Sequence, residues 1–204
     1  MTAALARAQA FLLEPAPARA SRQSTPATTA GGLPSLEVAV VGLTPGCGSS
    51  TVARGLAMAL GVPGARAAHL VAVTAGSTEA MVEHAGTVGQ MAAQPVAIVW
   101  DLEPTELQRA GQIVAESDAV LLVAGDRSEP ALAELVSRML SERFGAVRLV
   151  ATRVAEPARW EGRAIACVPQ SRLGAVLLAR GRRPAGELGA VLAALAAVVE
   201  EGVR

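Results

Sequence analysis

The feature that most constrains this fold is an alternation of short apolar runs with longer amphipathic stretches, which starts at residue 37. The apolar runs are about five residues long, are rich in β-branched side chains and are bounded by Gly, Pro, Asp or Thr. They cover residues 38–41, 70–73, 96–100, 119–123, 147–151 and 164–168. Near-continuous apolar runs of this length are typical of strands that are buried on both faces of a sheet.

The stretches between these runs have helical periodicity. We predict helices at residues 50–60, 78–92, 105–115, 130–143, 173–180 and 186–201. The fourth has the clearest period, with apolar side chains at Leu132, Leu135, Val136, Met139 and Leu140. Strands that alternate with helices form a parallel sheet covered on both sides. The sequence therefore predicts a doubly wound, mainly parallel α/β sheet of six or seven strands with helices on both faces.

The first 35 residues differ from the rest in composition. Four prolines between residues 14 and 34 lie among Ser, Thr, Ala and Gly, and proline at this density prevents a packed element. We predict a flexible N-terminal arm over residues 1–35 and one folded domain over residues 36–204. Residues 3–13 form either a frayed end or a docking peptide for a protein partner or a membrane.

Composition excludes several classes of protein. The 18 basic residues balance 18 acidic ones, so no basic field indicates specific nucleic-acid binding. Cys47 and Cys167 lack metal-ligand spacing and indicate a reducing compartment. No apolar run reaches the ~20 residues of a transmembrane helix, and the N-terminus lacks a continuous signal-peptide core. We therefore expect a cytoplasmic protein without a transmembrane segment.

A glycine-rich loop follows the first predicted strand, where residues 42–51 read G-L-T-P-G-C-G-S-S-T. Such a turn between a strand and a helix surrounds a phosphate with backbone N–H groups and a helix N-terminus. Gly46 and Gly48 permit close approach of the backbone. Ser50 and Thr51 supply hydroxyls that cap the helix or hold Mg²⁺. The loop therefore predicts ancestry in phosphate binding.

The lysine of such a loop is missing, because Ser49 occupies its position and all 18 basic residues of the chain are arginine. Removing a preorganised donor that stabilises charge in the transition state costs ~10²–10³ in rate. Arg54 is the nearest replacement, but it lies five positions after Ser49, and helical periodicity predicts that it points away from the phosphate side. We therefore expect little or no hydrolysis.

Aligned by its glycines, the loop resembles that of the MinD/ParA family of deviant Walker-A ATPases, which reads K-G-G-x-G-K-[ST]-[ST]. Thr44 stands where the family has a signature lysine that reaches the partner's nucleotide across a dimer, and Ser49 replaces the phosphate lysine. Later segments resemble the family's motifs in the same order. They are the Walker-B strand (residues 96–101), the A-D-x-x-x-x-V strand (117–123), the V-x-N-R strand (150–154), the strand ending in proline beside the base (166–169) and the A-x-x-x-G-x-P turn (179–184).

The resemblance extends over residues 36–200 and implies a nucleotide site with several losses. Thr152 replaces the asparagine that reads the base, and residues 69–74 lack the acidic residue that activates water. The implied cofactor is ATP or ADP with Mg²⁺, and the alternative is no cofactor. The implied cofactor-binding residues are Gly46, Cys47, Gly48, Ser49, Ser50, Thr51, Thr152, Arg153 and Pro169. The implied Mg²⁺ ligands are Ser50 and Asp101, and no catalytic residue is assigned.

Several of these residues have a second interpretation. Asp101 either binds Mg²⁺ through water or caps the segment that contains Glu103 and Thr105. Cys47 is either a reactive thiol at a helix N-terminus or a small residue that fills the loop. The arginines at the late strand ends and loops form either an anion site or a solvated surface; they are Arg153, Arg180, Arg182 and Arg183.

The resemblance implies three hypotheses about function. The first is a degenerate, non-catalytic module that positions, scaffolds or regulates a cellular machine, as in the TadZ group of the family. The second is a nucleotide-binding ATPase or switch with a lysine-free loop. The third is an inactive heterodimer partner of an intact ATPase. A protein partner would bind through the N-terminal arm or the loop face, and a homodimer is the other expected assembly.

Overall fold

The computed structural model describes residues 36–61, 67–74, 77–85, 96–103 and 110–203. Within these ranges, seven strands form one sheet in the order β3-β2-β4-β1-β5-β6-β7. The strands are β1 Leu36–Gly42, β2 Ala67–Thr74, β3 Ser77–Ala85, β4 Val96–Leu102, β5 Ala119–Ala124, β6 Val147–Thr152 and β7 Ala166–Val168. All neighbouring strands are parallel except the antiparallel pair β2–β3. This confirms the predicted doubly wound, mainly parallel α/β sheet.

The described helices lie on both faces of this sheet. They are α1 Ser49–Leu60, α2 Gly111–Glu116, α3 Pro130–Phe144, α4 Arg172–Ala179 and α5 Gly186–Glu201, with a 3₁₀ helix at Pro157–Trp160. Side chains of β1 alternate between two cores, since Val38 and Val40 pack with α1, α4 and α5, whereas Ala39 and Val41 pack with α2 and α3. None of the helices in the described ranges is long and apolar enough to cross a bilayer.

The prediction of a helix at residues 78–92 is wrong over its first half. Ser77–Ala85 forms strand β3, which pairs antiparallel with β2 from Thr74↔Ser77 to Ala68↔Ala85. Only two residues, Ala75 and Gly76, separate the paired ends, and this spacing is typical of a hairpin. Pairing with the edge of β2 thus overrides the local helical propensity of the segment. Residues 86–92 lie outside the described part of the chain.

The other predicted elements differ from the structure mainly at their ends. The helix predicted at residues 105–115 is observed as Gly111–Glu116, and residues 104–109 are outside the described ranges. The predicted N-terminal arm, residues 1–35, is also outside them, so the boundary at residue 36 stays a prediction. The apolar period of α3 is only partly buried: Leu140 lies in the core, whereas Leu132, Leu135 and Met139 are exposed.

Candidate functional site

The candidate site lies at the carboxyl edge of the sheet, where the ends of β1, β5, β6 and β7 meet. In open parallel sheets, ligands bind at this edge. The glycine-rich loop connects the end of β1 to the first turn of α1, and the Leu43 N–H donates to the Val123 carbonyl of β5 at 2.8 Å. The loop is therefore anchored to the neighbouring strand at its first residue.

Two glycines give the loop its shape. Gly46 and Gly48 have φ angles of 72° and 96°, a left-handed conformation that residues with a side chain rarely adopt. Between them, the Cys47 N–H closes a turn by donating to the Thr44 carbonyl at 3.1 Å. The conformational role predicted for both glycines is confirmed.

The loop retains hydrogen-bond donors that an anion needs. Within the described ranges, the backbone N–H groups of Gly46, Gly48, Ser49 and Ser50 have no hydrogen-bond acceptor, and no side chain caps the start of α1. Unpaired N–H groups at a helix N-terminus, together with the helix dipole, favour a bound phosphate or carboxylate. This geometry fits an anion without the help of a lysine.

Thr152, at the end of β6, serves the loop itself. Its side chain is only 3% exposed, and its hydroxyl donates to the Cys47 carbonyl and lies 3.3 Å from the Ala124 carbonyl of β5. A hydroxyl has one proton to donate. Thr152, at the position where the resemblance implies a base-reading asparagine, thus has its donor already committed to the glycine-rich loop.

Arg153 ties the same loop to the turn after β5. Its guanidinium donates to the Gly46 carbonyl and forms an ion pair with Asp126 at 3.5 Å. Its backbone is held in a left-handed conformation with φ of 55°, and its N–H donates to the Val168 carbonyl of β7 at 2.9 Å. The Arg153 side chain, which is 37% exposed, is therefore partly solvated and also bound to the glycine-rich loop.

The other arginines of the predicted anion site lie elsewhere. The side chains of Arg180 and Arg182 are exposed and form no hydrogen bond or ion pair within the described part of the chain. The Arg183 guanidinium donates to the Gly61 carbonyl at the end of α1. Of the four arginines, only Arg153 thus contacts the glycine-rich loop within the described ranges.

Cys47 fills space beneath the loop. Its side chain is buried in the core that α1, α4 and α5 share, and the thiol is free. This confirms the interpretation of Cys47 as a loop-filling residue. Cys167, on β7, is also a free thiol, and burial raises the pKa of its side chain above the usual value.

Asp101, on β4, is paired with the first turn of α1. Its side chain is only 8% exposed, it accepts a hydrogen bond from Ser50, and its second oxygen, Oδ1, has no partner within the described ranges. A buried carboxylate oxygen without a partner is costly unless a ligand or water satisfies it. Thr105 and the rest of the segment that Asp101 would alternatively cap, residues 104–109, lie outside the described ranges, so that alternative stays a prediction.

This oxygen pair fits a magnesium ion. Mg²⁺ prefers hard oxygen ligands and keeps several of its own waters, so one carboxylate and one hydroxyl suffice beside a phosphate. No group of three or more His, Cys, Asp or Glu side chains is arranged as a metal site in the described ranges. Ser50 and Asp101 would hold the ion, whose role would be to neutralise charge on the bound phosphates.

The pKa of the Asp101 carboxyl depends on its burial and on three neighbouring side chains. Burial raises the pKa of the Asp101 carboxyl, the Ser50 hydrogen bond and the Arg54 charge counteract this rise, and Glu103 adds to it. The positive charge of Arg54 lowers the pKa of the carboxyl beside the loop, and the prediction that its side chain points away from the phosphate side stays a prediction.

We expect Asp101→Asn to stabilise the protein at pH 7 by about 0.5–2 kcal/mol. The pKa of Asp101 is higher in the folded state than its ordinary value of 3.8 in the unfolded chain. The free energy of unfolding therefore falls as pH rises above 3.8, and the loss is complete once the pH exceeds the raised pKa. The gain should therefore shrink as pH falls towards about 3.8. Thermal melts in Mg²⁺-free buffer measure it, with the exposed Glu142→Gln as the control. A variant less stable than wild type at pH 7 would contradict this account.

A cavity of about 200 Å³ opens beside the loop, between α1 and the start of α4. Five of the predicted cofactor-binding residues line it: Gly48, Thr51, Thr152, Arg153 and Pro169. Its volume is below the ~300–1,000 Å³ of typical small-molecule sites, so it can enclose only part of a nucleotide. The rest of the ligand would lie along the open phosphate loop.

Residues that the sequence analysis did not assign also line this cavity. Gln170, Ser171 and Arg172 follow Pro169 directly, and Ala175 lies one turn further along α4. Ser171 caps α4 by accepting a hydrogen bond from the Gly174 N–H at 3.0 Å. Their position after the last parallel strand was the available signal, since every segment that leaves this edge is a candidate for the site.

Comparison with known proteins agrees with this geometry at the level of the fold. No protein-family model matches the chain, and no curated protein matches it. A ParA-family ATPase from Chlorobium tepidum TLS is 13% identical, with a TM-score of 0.56 over 80% of this chain and 98% of that one. A candidate plasmid partition protein from Borrelia burgdorferi B31, solved with AMPPNP, is 10% identical, with a TM-score of 0.54 over 83% and 99%. The chain thus has the fold of the ParA-family ATPases, as the resemblance predicted.

Proposed function

We propose that this chain is a ParA-like module that binds a nucleotide phosphate with Mg²⁺ but turns it over slowly or not at all. The observation that carries the proposal is that the side chains of Thr152 and Arg153 donate hydrogen bonds to carbonyls of the glycine-rich loop. Thr152 donates its one hydroxyl proton, and Arg153 donates from one of its guanidinium nitrogens. A loop braced in this way retains its shape, while the hydroxyl at the position where the resemblance implies a base-reading residue has no proton left to donate.

The polar groups that the site retains support nucleotide binding. The four unpaired N–H groups would hold a phosphate, the Ser50–Asp101 oxygen pair its metal ion, and the cavity beside the loop part of a base or sugar. The AMPPNP complex of the Borrelia protein is consistent with a nucleotide at this edge of the same fold.

The absence of the two lysines and of an acidic residue on β2 argues against nucleotide hydrolysis. Phosphoryl transfer depends on cations near the transferred group and on a residue that orients the attacking water. Ser49 and Thr44 occupy the positions of both lysines, and β2 carries no acidic side chain. Losses of this kind act on the transition state more than on the bound ground state. Binding can therefore survive the loss of hydrolysis.

We propose that the biological role of this site is positioning rather than catalysis. We propose a cytoplasmic module that keeps the ParA-like fold. The surface around its glycine-rich loop would change when a ligand binds, and it could position or scaffold a cellular machine without hydrolysing nucleotide. The loop face and the N-terminal arm are the proposed contacts for a protein partner, which is either a second copy or an intact ATPase.

Calorimetric titration of the full chain with ATP and Mg²⁺, with turnover measured in parallel, tests this proposal. We expect micromolar to millimolar binding that is lost in Gly48→Arg, which puts a side chain on a left-handed residue of the loop. Phosphate release by wild type should be slow or absent. Rapid phosphate release that disappears in Asp101→Ala would overturn the non-catalytic proposal, and the absence of any nucleotide binding would overturn the nucleotide site.

One observation favours an ATPase or switch as the second candidate. Arg153 places a guanidinium at the loop, and its Nε is buried without a partner in the described ranges. An arginine that left the Gly46 carbonyl for a phosphate would supply the missing charge. In that case Arg153→Gln would abolish turnover, whereas under the leading proposal it only loosens the loop.

A further inference from the structure

Helix α4 presents an apolar outer face that nothing in the described structure covers. Leu173 is 71% exposed and Val176 is 47% exposed, while Gly174 and Leu178 form the buried side of the same helix. Residues three apart lie on one face of a helix, so the two exposed side chains form a single apolar surface. Leu173 is the most exposed large apolar residue in the described ranges.

Basic side chains surround this apolar pair. Arg172, Arg180 and Arg182 are exposed and form no ion pair within the described part of the chain. Arg183 lies next to them in sequence, but its guanidinium donates to the Gly61 carbonyl. Three arginines without an ion-pair partner in the described ranges therefore lie on or next to α4, although the net charge of the whole chain is zero. We call the surface of Leu173, Val176, Arg180 and Arg182 the α4 surface.

We propose that the α4 surface docks on an anionic lipid bilayer. An interfacial helix inserts apolar side chains at the boundary between headgroups and acyl chains, while flanking arginines contact anionic headgroups. Arginine suits this role because its apolar stem follows the inserted residues while its charge stays in water. The α4 surface has this arrangement over a short length, so the predicted contact is weak, reversible and sensitive to salt.

Two other partners match the α4 surface less well. Nucleic acid would neutralise the arginines, but its phosphate backbone offers no apolar phase for Leu173 and Val176, and the surface has no aromatic side chain on which a base could stack. Protein interfaces concentrate their binding energy in aromatic and arginine side chains packed into pockets, whereas this surface has no aromatic anchor and its arginines are exposed. An anionic bilayer satisfies both the charge and the apolar pair.

The α4 surface lies beside the nucleotide cavity but does not depend on it. Arg172 and Ala175 line the cavity, whereas Leu173 and Val176 face solvent from the same helix. Variants of the α4 surface can therefore leave Arg172 untouched. A failure of lipid docking would then be separable from a failure of nucleotide binding.

Co-sedimentation of the full chain with vesicles tests this inference. We expect binding to vesicles of phosphatidylcholine with one quarter phosphatidylglycerol, no binding to pure phosphatidylcholine, and a loss of binding as salt shortens the screening length from ~10 Å to ~3 Å. The double variants Leu173→Ser/Val176→Ser and Arg180→Gln/Arg182→Gln should each reduce the bound fraction by about tenfold or more. Because all four side chains are exposed, their melting temperatures and nucleotide titrations should match those of wild type.

Leu135→Ser is the matched control. Leu135 is 46% exposed on α3, close to Val176 in exposure, but its helix carries Glu134 and Glu142 beside the apolar residues. This variant should bind vesicles like wild type. The proposal is overturned by no binding to the anionic vesicles, or by binding that both double variants retain. Tight binding to duplex DNA that needs Arg180 and Arg182 but not Leu173 would also overturn it and assign the surface to nucleic acid.

Discussion

Ser49→Lys is expected to tighten the binding of Mg²⁺-ATP by about 10- to 100-fold. A hydrogen bond from a charged donor contributes about 1.5–3 kcal/mol, and each ~1.4 kcal/mol is a tenfold change in affinity. Ser49 is the first residue of α1, next to N–H groups that have no acceptor in the described ranges. The restored lysine would therefore meet a phosphate that the backbone already holds.

Calorimetry on wild type, Ser49→Lys and Ser49→Met separates charge from side-chain length. Methionine has a similar reach and no charge, so it should bind ATP like wild type or more weakly. We expect little gain in turnover from Ser49→Lys, because Thr44 still occupies the position of the second lysine and β2 still lacks an acidic residue. An affinity for ATP equal to that of wild type would show that the phosphate does not lie at the start of α1.

Thr152→Val should destabilise the fold by about 1–3 kcal/mol, the usual cost of leaving a buried polar group without its partner. Valine has nearly the same shape as threonine but lacks the hydroxyl. The variant would therefore leave the Cys47 carbonyl without its buried donor and would release the loop from the end of β6. For a domain of this size, the expected fall in melting temperature is about 2–10 °C.

Thr44→Val is the matched control for this prediction. Thr44 lies in the same loop, but its side chain is exposed and makes no hydrogen bond within the described ranges, so the change should stay within about 0.5 kcal/mol. Denaturant melts of the two variants measure the difference. If both variants melt like wild type, the Thr152 hydroxyl does not brace the loop, and the argument for a committed donor at the base position fails.

Most of the sheet was predictable from local patterns in the chain. The buried strands β1, β4 and β5 read as apolar runs because both of their faces are covered, and this pattern does not depend on which strands become neighbours. Strand β3 was not predictable in the same way. It lies at the edge of the sheet, and its structure depends on pairing with β2 rather than on a pattern of its own.

The sequence predicted where the candidate site lies better than it predicted which contacts the polar side chains of the site make. The sequence by itself determined the alternation of strands and helices, the position of the glycine-rich loop after β1, and the absence of lysine, since these are properties of contiguous residues. It also determined that Ser50 and Asp101 lie at the carboxyl ends of strands that share one edge, because parallel strands end on the same side of a sheet.

Only the tertiary structure decided what the polar groups at that edge do. The Thr152–Cys47 bond joins residues 105 positions apart, and the Arg153–Gly46 bond joins residues 107 apart. The order of the strands places β5 beside β1 and β6 beside β5. Whether a hydroxyl or guanidinium at their ends then faces a ligand or a carbonyl depends on packing at the ångström scale. The exposure of Leu173 was decided in the same way, because periodicity gives a helix an apolar face but does not say whether the rest of the protein covers it.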